Sequence, residues 1–201
     1  MLTLVIGIVA LALLFDFVNG MNDAANSIAT IVSTRVLTPR QAVAWAAFWN
    51  AAAMVLVGTA VAKTVSSVVP AAQQDLMIVL GGLLGAIVWA HGCTKVGLPI
   101  SVSHSLIGGL VGAGWAAEGF GAIHLAKLTP TLWFILLAPI IGLIVGGAFM
   151  LAIYWAFRNF HRARADRVFR MGQLFSSAAF SVGHGSNDAQ KIMGMITAAL
   201  V

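Results

Sequence analysis

A short polar motif occurs twice in this chain, each time inside a long apolar segment. The first copy, Gly-Met-Asn-Asp-Ala-Ala-Asn, covers residues 20–26, and the second, Gly-Ser-Asn-Asp-Ala-Gln-Lys, covers residues 185–191. The offset is 185 − 20 = 165 residues, and it also pairs Phe15 with Phe180. A charged side chain at the centre of a bilayer costs about 2.5–3.5 kcal/mol or more. Because the chain carries this cost at two corresponding positions, the motif predicts two membrane repeats with a polar site between them.

The composition indicates a membrane protein. Apolar residues make up 60% of the 201 residues and charged residues only 8%, whereas a soluble domain averages about 25% charged residues. The apolar runs reach the length of about 20 residues that a spanning helix needs and do not alternate as barrel strands do. We therefore expect an all-α, polytopic, multi-pass protein of the cell membrane, specifically a bacterial inner membrane.

The cysteine content and the distribution of charge exclude a disulfide-bonded protein and a nucleic-acid-binding protein. The single cysteine, Cys93, excludes an internal disulfide. The net charge is +5, and five of the eleven basic residues lie within 158–170. Such a cluster next to an apolar segment is typical of a cytoplasmic surface that contacts the lipid bilayer, so we expect no nucleic-acid partner.

The apolar segments predict the order of the helices. The first, 2–31, is too long for one straight span and is interrupted around Gly20, which predicts a broken or re-entrant helix. Further spans are predicted at the three ranges 41–62, 76–90 and 128–157, with a connector at 63–75. Residues 92–99 contain too many glycines and prolines for a regular helix. The segment 99–117 that follows is either a span or one arm of a re-entrant hairpin.

Basic residues favour one topology. If 99–117 crosses the membrane, five crossings precede the basic segment, which then lies with Arg35 and Arg40 on the cytoplasmic side. The second repeat would then enter from the opposite face, which is inverted topology. If 99–117 only dips in and returns, the two basic regions fall on opposite sides. We favour the first arrangement.

The repeats divide the chain into three parts. We predict a first transmembrane repeat at 1–157, a basic cytoplasmic loop at 158–173 and the start of a second repeat at 174–201. The second-repeat counterpart of Ser101 would lie near position 101 + 165 = 266. We therefore expect the second repeat to be truncated.

The repeated motifs supply the first candidate site residues. Asp23 and Asn26 are three residues apart and share one face of a helix, and Asp188 and Lys191 have the same spacing. The alternative is that these groups only join helices through hydrogen bonds. Asp16 lies one turn before the first motif, but its counterpart is the neutral Ser181, so its membership of the site is left open.

A serine-rich segment supplies a second set of candidates. Ser101, Ser103 and His104 follow the break at 97–99. Hydroxyl groups and free N–H groups at the start of a helix suit an oxyanion, because the helix dipole favours negative charge there. The alternatives are close helix packing and a hydrolase. No acidic residue is evident to orient His104, and we do not expect an enzyme.

Three motifs together resemble the signatures of one transporter family. Residues 20–27, 97–104 and 183–191 look like the signatures of the inorganic phosphate transporter family, also called PiT or phosphate permeases. The resemblance implies an inverted-repeat helical fold and symport of phosphate with Na⁺ or H⁺. It also implies that the Asp–Asn pairs and the Ser/Thr-rich segments line the binding site.

Electrostatics independently require a cation. Phosphate brings one or two negative charges, and Asp23 and Asp188 add two more, while Lys191 is the only basic residue in either motif. Like charges a few ångströms apart repel by several kcal/mol at an effective dielectric constant near 20. Protons on the carboxylates or Na⁺ bound by Asp23, Asn26 and Asp188 would neutralise the site. A neutral metal–phosphate complex would meet the same requirement.

The sequence therefore predicts a symporter of inorganic phosphate, with no cofactor beyond the co-transported Na⁺ or H⁺. The alternatives are a transporter of another oxyanion such as sulfate, or a non-transporting structural membrane subunit. The expected partners are phosphate, the coupling cation and the lipid bilayer, and a homodimer is left open. The predicted substrate-binding residues are Asn22, Asp23, Asn26, Ser101, Ser103, His104, Asn187, Asp188 and Lys191.

Overall fold

The computed structural model describes residues 2–56 and 75–200, and this part of the chain contains helices and no strand. The helices are α1 (Leu2–Ser33), α2 (Pro39–Leu56), α3 (Leu76–Lys95), α4 (Val102–Glu118), α5 (Leu125–Phe157) and α6 (Arg162–Leu200), with a 3₁₀ turn at Phe120–Ala122. By length and composition, α1, α3 and α5 are each able to cross a membrane. The predicted all-α membrane fold is confirmed. Residues 63–74 of the predicted connector lie outside the described residues.

Helix α1 is continuous through the first motif, so the predicted break around Gly20 is wrong. No neighbouring group lies within 4 Å of the place where a side chain on Gly20 would start. The polar side chains find partners without disturbing the helix, and Asn22 Nδ2 donates to the Val18 carbonyl oxygen one turn earlier at 2.9 Å. Glycine alone weakens a helix by only about 1 kcal/mol, which packing easily offsets.

The basic segment is mostly helical, not a loop. Helix α6 begins at Arg162 and runs for 39 residues, so most of the predicted loop at 158–173 forms its first turns. Arginine and alanine are good helix formers, and an ion pair of 3.2 Å joins Arg170 Nε to Asp166 Oδ2 on successive turns. The predicted boundaries between the repeats stay a prediction.

Helices α1 and α6 run antiparallel. The contacts pair Thr34 with Gln173 and Asn19 with Asp188, so residue numbers rise along α1 as they fall along α6. Each helix carries one copy of the repeated motif. The two copies of the motif therefore run in opposite directions, as they do in inverted repeats.

Helices α3 and α4 form a hairpin whose tip lies at the depth of the motifs. Between these two helices the chain is non-helical at 96–101, so the predicted break is present but begins four residues later than Gly92. At the tip, Thr94 Oγ1 donates to Asn22 Oδ1 at 2.8 Å. Asn22 lies twelve residues from Thr34, at the end of α1, which corresponds to about 18 Å of helix. The hydrocarbon core is about 30 Å thick, so the hairpin ends near its middle.

A tip at this depth is typical of a re-entrant pair of helices, and the favoured five-crossing topology stays a prediction. The hairpin packs on the half of α1 that precedes the motif, where Ile8, Ala12 and Phe15 are buried with side chains of α3 and α4. It therefore enters from the side opposite the arginines. The expected grouping of basic residues does hold, since Arg170 Nη1 donates to the Arg35 carbonyl oxygen at 3.4 Å.

Candidate functional site

The two motifs face each other across the α1–α6 seam, the contact surface between these antiparallel helices. Asn19 Nδ2 of α1 donates to Asp188 Oδ2 of α6 at 2.7 Å. His184 Nε2 of α6 lies 3.9 Å from Asp23 Oδ2 of α1. Under the repeat offset, 19 + 165 = 184 and 23 + 165 = 188. The two cross-seam contacts are therefore counterparts of each other, which shows that the repeat extends to the side-chain geometry.

Asp188 is the most buried carboxylate of the site, with a relative exposure of 9%. Asn19 Nδ2 donates to its Oδ2 at 2.7 Å, Lys191 Nζ donates to its Oδ1 at 2.8 Å, and His184 Nε2 lies 3.1 Å from Oδ2. A buried carboxylate requires such partners to offset the loss of its hydration. The structure thus accounts for the cost of a charge inside the membrane.

Lys191 connects the seam to the hairpin. Besides its ion pair with Asp188, its Nζ donates to Ser103 Oγ of α4 at 2.5 Å. Ser103 lies in the first turn of α4, whose N-cap is Ser101. A lysine, a serine hydroxyl and the N-terminal end of a helix are groups that bind oxyanions.

The remaining residues of the first motif surround Asp23 and the hairpin tip. Asn26 Nδ2 donates to Asp23 Oδ1 at 3.3 Å, and Asn26 is itself exposed. Asn22 accepts the hydroxyl of Thr94, as described above. The first motif therefore both supplies the second carboxylate and fixes the end of the hairpin.

Asp23, His184 and Asp188 form a candidate cation site. One ligand atom from each of the three residues lies within 4.8 Å of the others. The predicted set was Asp23, Asn26 and Asp188. His184 Nε2 lies 3.9 Å from Asp23 Oδ2 and 3.1 Å from Asp188 Oδ2, whereas Asn26 donates to Oδ1, the other oxygen of Asp23. Carboxylate oxygens suit Na⁺ or a proton, and an imidazole can also carry a proton.

A cavity of about 370 Å³ opens beside these groups. Two of its polar atoms, Asn19 Oδ1 and Ser27 Oγ, are buried without a hydrogen-bond partner among the described residues. Asp16, whose role the sequence left open, faces the same cavity. The polar residues lining it are Asp16, Asn19, Ser27, Asn50, His184 and Asp188. A cavity of this volume, lined by unpaired oxygens, has room for an ion with its hydration water.

Three of the predicted site residues lie away from this cluster. Ser101 and His104 line a separate cavity of about 540 Å³ on the hairpin, together with Trp89 and Pro99. Ser101 Oγ accepts the His104 backbone N–H at 3.4 Å and so caps α4. Asn187 is exposed. Their role as substrate ligands stays a prediction.

Three residues of the cluster were not predicted: Asn19, Thr94 and His184. The repeat offset contained a signal for two of them, because it aligns Asn19 with His184, one turn before the aspartate of each motif. Thr94 had no such signal, because its contact with α1 depends on how the hairpin packs.

Comparison with known proteins gives consistent matches. Residues 19–201 match PHO4, the phosphate transporter family. The chain is 44% identical over 198 residues to a probable low-affinity inorganic phosphate transporter of Rhizobium meliloti, covering 98% of this chain and 59% of the relative. A protein of the same description from Bacillus subtilis is 39% identical over 203 residues, covering all of this chain and 61% of the relative.

Two further matches differ in coverage. A probable low-affinity inorganic phosphate transporter of Streptomyces halstedii is 45% identical, covering 92% of this chain and 87% of the relative. A solved structure titled "The sodium-dependent phosphate transporter" is 23% identical, with a TM-score of 0.77, and covers 98% of this chain and 67% of that one. This last likeness supports the fold.

The chain thus spans about three fifths of the Rhizobium and Bacillus relatives. The relatives are named as transporters, in line with the expectation of a transporter. The family match extends over both copies of the motif and the hairpin between them. From this match and the seam geometry we conclude that the chain belongs to the phosphate transporter family.

Proposed function

We propose that this chain is a transport unit that moves inorganic phosphate across a bacterial inner membrane together with Na⁺ or H⁺. Family membership and the names of the bacterial relatives support the substrate and the membrane. The observation that carries the proposal is the meeting of two repeat-related carboxylates with one lysine in the interior of the bundle.

The cation is proposed to bind between Asp23, His184 and Asp188. Their ligand atoms are close enough to share one ion. Two carboxylates at this separation repel each other, and the repulsion grows when an anion approaches. A sodium ion or a proton bound there removes most of that repulsion, so the anion binds best after the cation.

Phosphate is proposed to bind at Lys191 and Ser103, beside the start of α4. Lys191 is already engaged by Asp188 at 2.8 Å. A cation on Asp188 weakens that ion pair and makes the ammonium group available to a phosphate oxygen. Cation binding and phosphate binding are then coupled, because Asp188 and phosphate compete for Lys191.

Uptake of radiolabelled phosphate into proteoliposomes containing the 201-residue chain tests the proposal. We expect Asp23→Asn and Asp188→Asn to reduce uptake at least about tenfold, because each removes a charge that holds the cation. Asp166→Asn is the matched control, since it removes the same charge from an exposed residue outside the site. Uptake at the wild-type rate in both site variants would contradict the site, and uptake of radiolabelled sulfate in place of phosphate would contradict the substrate.

Imposed gradients identify the cation. Proteoliposomes with an inward Na⁺ gradient at equal pH are compared with proteoliposomes that carry only a proton gradient. Stimulation by one gradient alone assigns that ion. Uptake that responds to neither gradient would contradict symport.

A further inference from the structure

The elbow, defined here as residues 150–170 at the junction of α5 and α6, combines an apolar groove with a cluster of arginines. The groove has a volume of about 350 Å³. Its apolar lining consists of Met150, Ile153, Tyr154, Phe157 and Phe169. A second cavity of about 600 Å³ adjoins it, shares Ala165 and Phe169 with it, and reaches Arg162. We propose that the elbow binds an anionic phospholipid, with an acyl chain in the groove and the phosphate at Arg158 and Arg162.

The apolar half of the elbow is exposed. In the described part of the chain, α5 buries none of its residues. Tyr154 and Trp155 are 69% and 57% exposed near the end of this helix, where aromatic rings typically lie at the membrane surface. Phe157 packs between Phe160 and Phe169, with ring centroids 4.8 and 4.9 Å apart. These rings join the end of α5 to the first turns of α6 beside the groove.

Most arginines of the elbow form no ion pair with another described residue. Five arginines lie within 158–170. Among the described residues only Arg170 of these five forms an ion pair, with Asp166. Arg158 lines the groove, and its Cζ atom lies 4.4 Å from the centroid of the Trp155 ring, so its guanidinium group is held in one orientation. An oriented guanidinium group is a good partner for a phosphate diester.

A phospholipid is the ligand that satisfies both halves at once. An acidic soluble protein or a free phosphate ion would pair with the arginines but would leave the apolar groove uncovered. A neutral lipid would fill the groove but would leave the guanidinium groups unpaired. Basic clusters beside the end of a membrane helix gain binding energy from each arginine near an anionic surface.

Native mass spectrometry of the detergent-solubilised 201-residue chain tests the proposal, with phosphatidylglycerol or phosphatidylcholine titrated in. We expect the wild-type chain to bind phosphatidylglycerol about tenfold more tightly than phosphatidylcholine. The R158Q/R162Q variant should lose most of this preference. The R35Q/R40Q variant removes two charges from the same side of the membrane and should keep the preference, whereas R158K/R162K, which retains the charge but not the planar guanidinium groups, should keep only part of it.

A groove-filling variant separates a defined site from general attraction of charge. Ala165 lines both cavities, so Ala165→Trp should reduce phosphatidylglycerol binding about tenfold while every arginine remains. Equal loss in R35Q/R40Q and R158Q/R162Q, or unchanged binding in Ala165→Trp, would overturn the proposal. A lipid-free dimer that Ala165→Trp abolishes, without a phosphatidylglycerol adduct on the wild-type chain, would assign the elbow to a second copy and would also overturn it.

Discussion

Lys191 is shared between two oxygens from different parts of the fold, Asp188 Oδ1 on its own helix and Ser103 Oγ on the hairpin. Both members of the ion pair are largely buried, with side-chain exposures of 18% and 12%. Removing one partner of a buried pair leaves an unpaired charge, whereas removing both leaves none.

Replacing Lys191 with Met should therefore lower the free energy of unfolding by about 3 kcal/mol. The double variant Asp188→Asn/Lys191→Met should be more stable than the sum of the two single effects implies. Unfolding of the detergent-solubilised chain, followed by circular dichroism, measures all three variants. Additive effects, within about 0.5 kcal/mol, would show that the two side chains do not interact.

At the residue scale, the sequence predicted the charged members of the cluster and missed several of their neutral partners. Asp23, Asp188 and Lys191 stand out because charge is rare in apolar segments and the motif repeats. Asn19 and His184 fall just outside the repeated motif at 20–26 and 185–191, although each lies one turn before the aspartate of its copy. The sequence alone does not contain the rotation of each helix about its axis, and this rotation determines which neighbouring side chains point into the seam.

At the scale of elements, glycine matters where two backbones touch. A Cβ atom on Gly109 of α4 would collide with the Gly82 carbonyl oxygen of α3. Close helix contact through small residues is how membrane helices pack. Gly108, its neighbour, has nothing within 4 Å of the same position.

Gly109→Ala should therefore destabilise the hairpin by about 2 kcal/mol, because the backbones must separate. Gly108→Ala is the matched control and should be neutral or slightly stabilising, since alanine favours a helix. Thermal unfolding in detergent compares the two variants. Equal effects of both substitutions would contradict the close contact between α3 and α4.

A second close contact lies between α6 and α2. A Cβ atom on Gly185 would lie 2.7 Å from the backbone of Asn50, while one on Gly183 would meet nothing within 4 Å. Gly185→Ala should push α2 away from the cavity that Asn50 lines and reduce phosphate uptake about tenfold. Gly183→Ala should leave uptake unchanged. The proposed position of α2 would be contradicted by wild-type uptake in Gly185→Ala.

Helix breaks were predicted correctly where the backbone requires them. Gly97 has a φ angle of +74°, which favours glycine, and Pro99 lacks an N–H group, so the chain cannot continue as a helix there. The first motif contains neither a proline nor a residue with positive φ. A count of polar residues and one glycine suggested a break in α1, but these residues bond within the helix or across the seam.

At the scale of the whole molecule, the hairpin determines the topology. A cysteine placed at Val96, in a Cys93→Ser background, should resist a membrane-impermeant thiol reagent applied from the arginine side. A cysteine at Arg164 should react from that side, because it lies in the basic segment. The five-crossing topology instead exposes both positions on that side. Equal labelling of Val96→Cys and Arg164→Cys in oriented vesicles would support the five-crossing topology instead.

The positive-inside pattern predicted the grouping of the arginines, but hydropathy did not predict the depth of the hairpin. An apolar run has the same composition whether it crosses the membrane or turns back within it. The contacts of Thr94 with Asn22 and of Ser103 with Lys191 show this depth, because they fix the position of the hairpin tip along α1 and α6.

The pairing of Asn19 with Asp188 and of His184 with Asp23 has a consequence for direction. Because the two contacts are counterparts on antiparallel helices, a half-turn about an axis in the plane of the membrane exchanges one for the other. In either direction along the seam, an arriving ion therefore meets a carboxylate that lies beside a side chain of the other helix. In the proposed carrier, such a seam would serve both directions of transport, and the phosphate and cation concentrations on the two sides would decide whether the cell gains or loses phosphate.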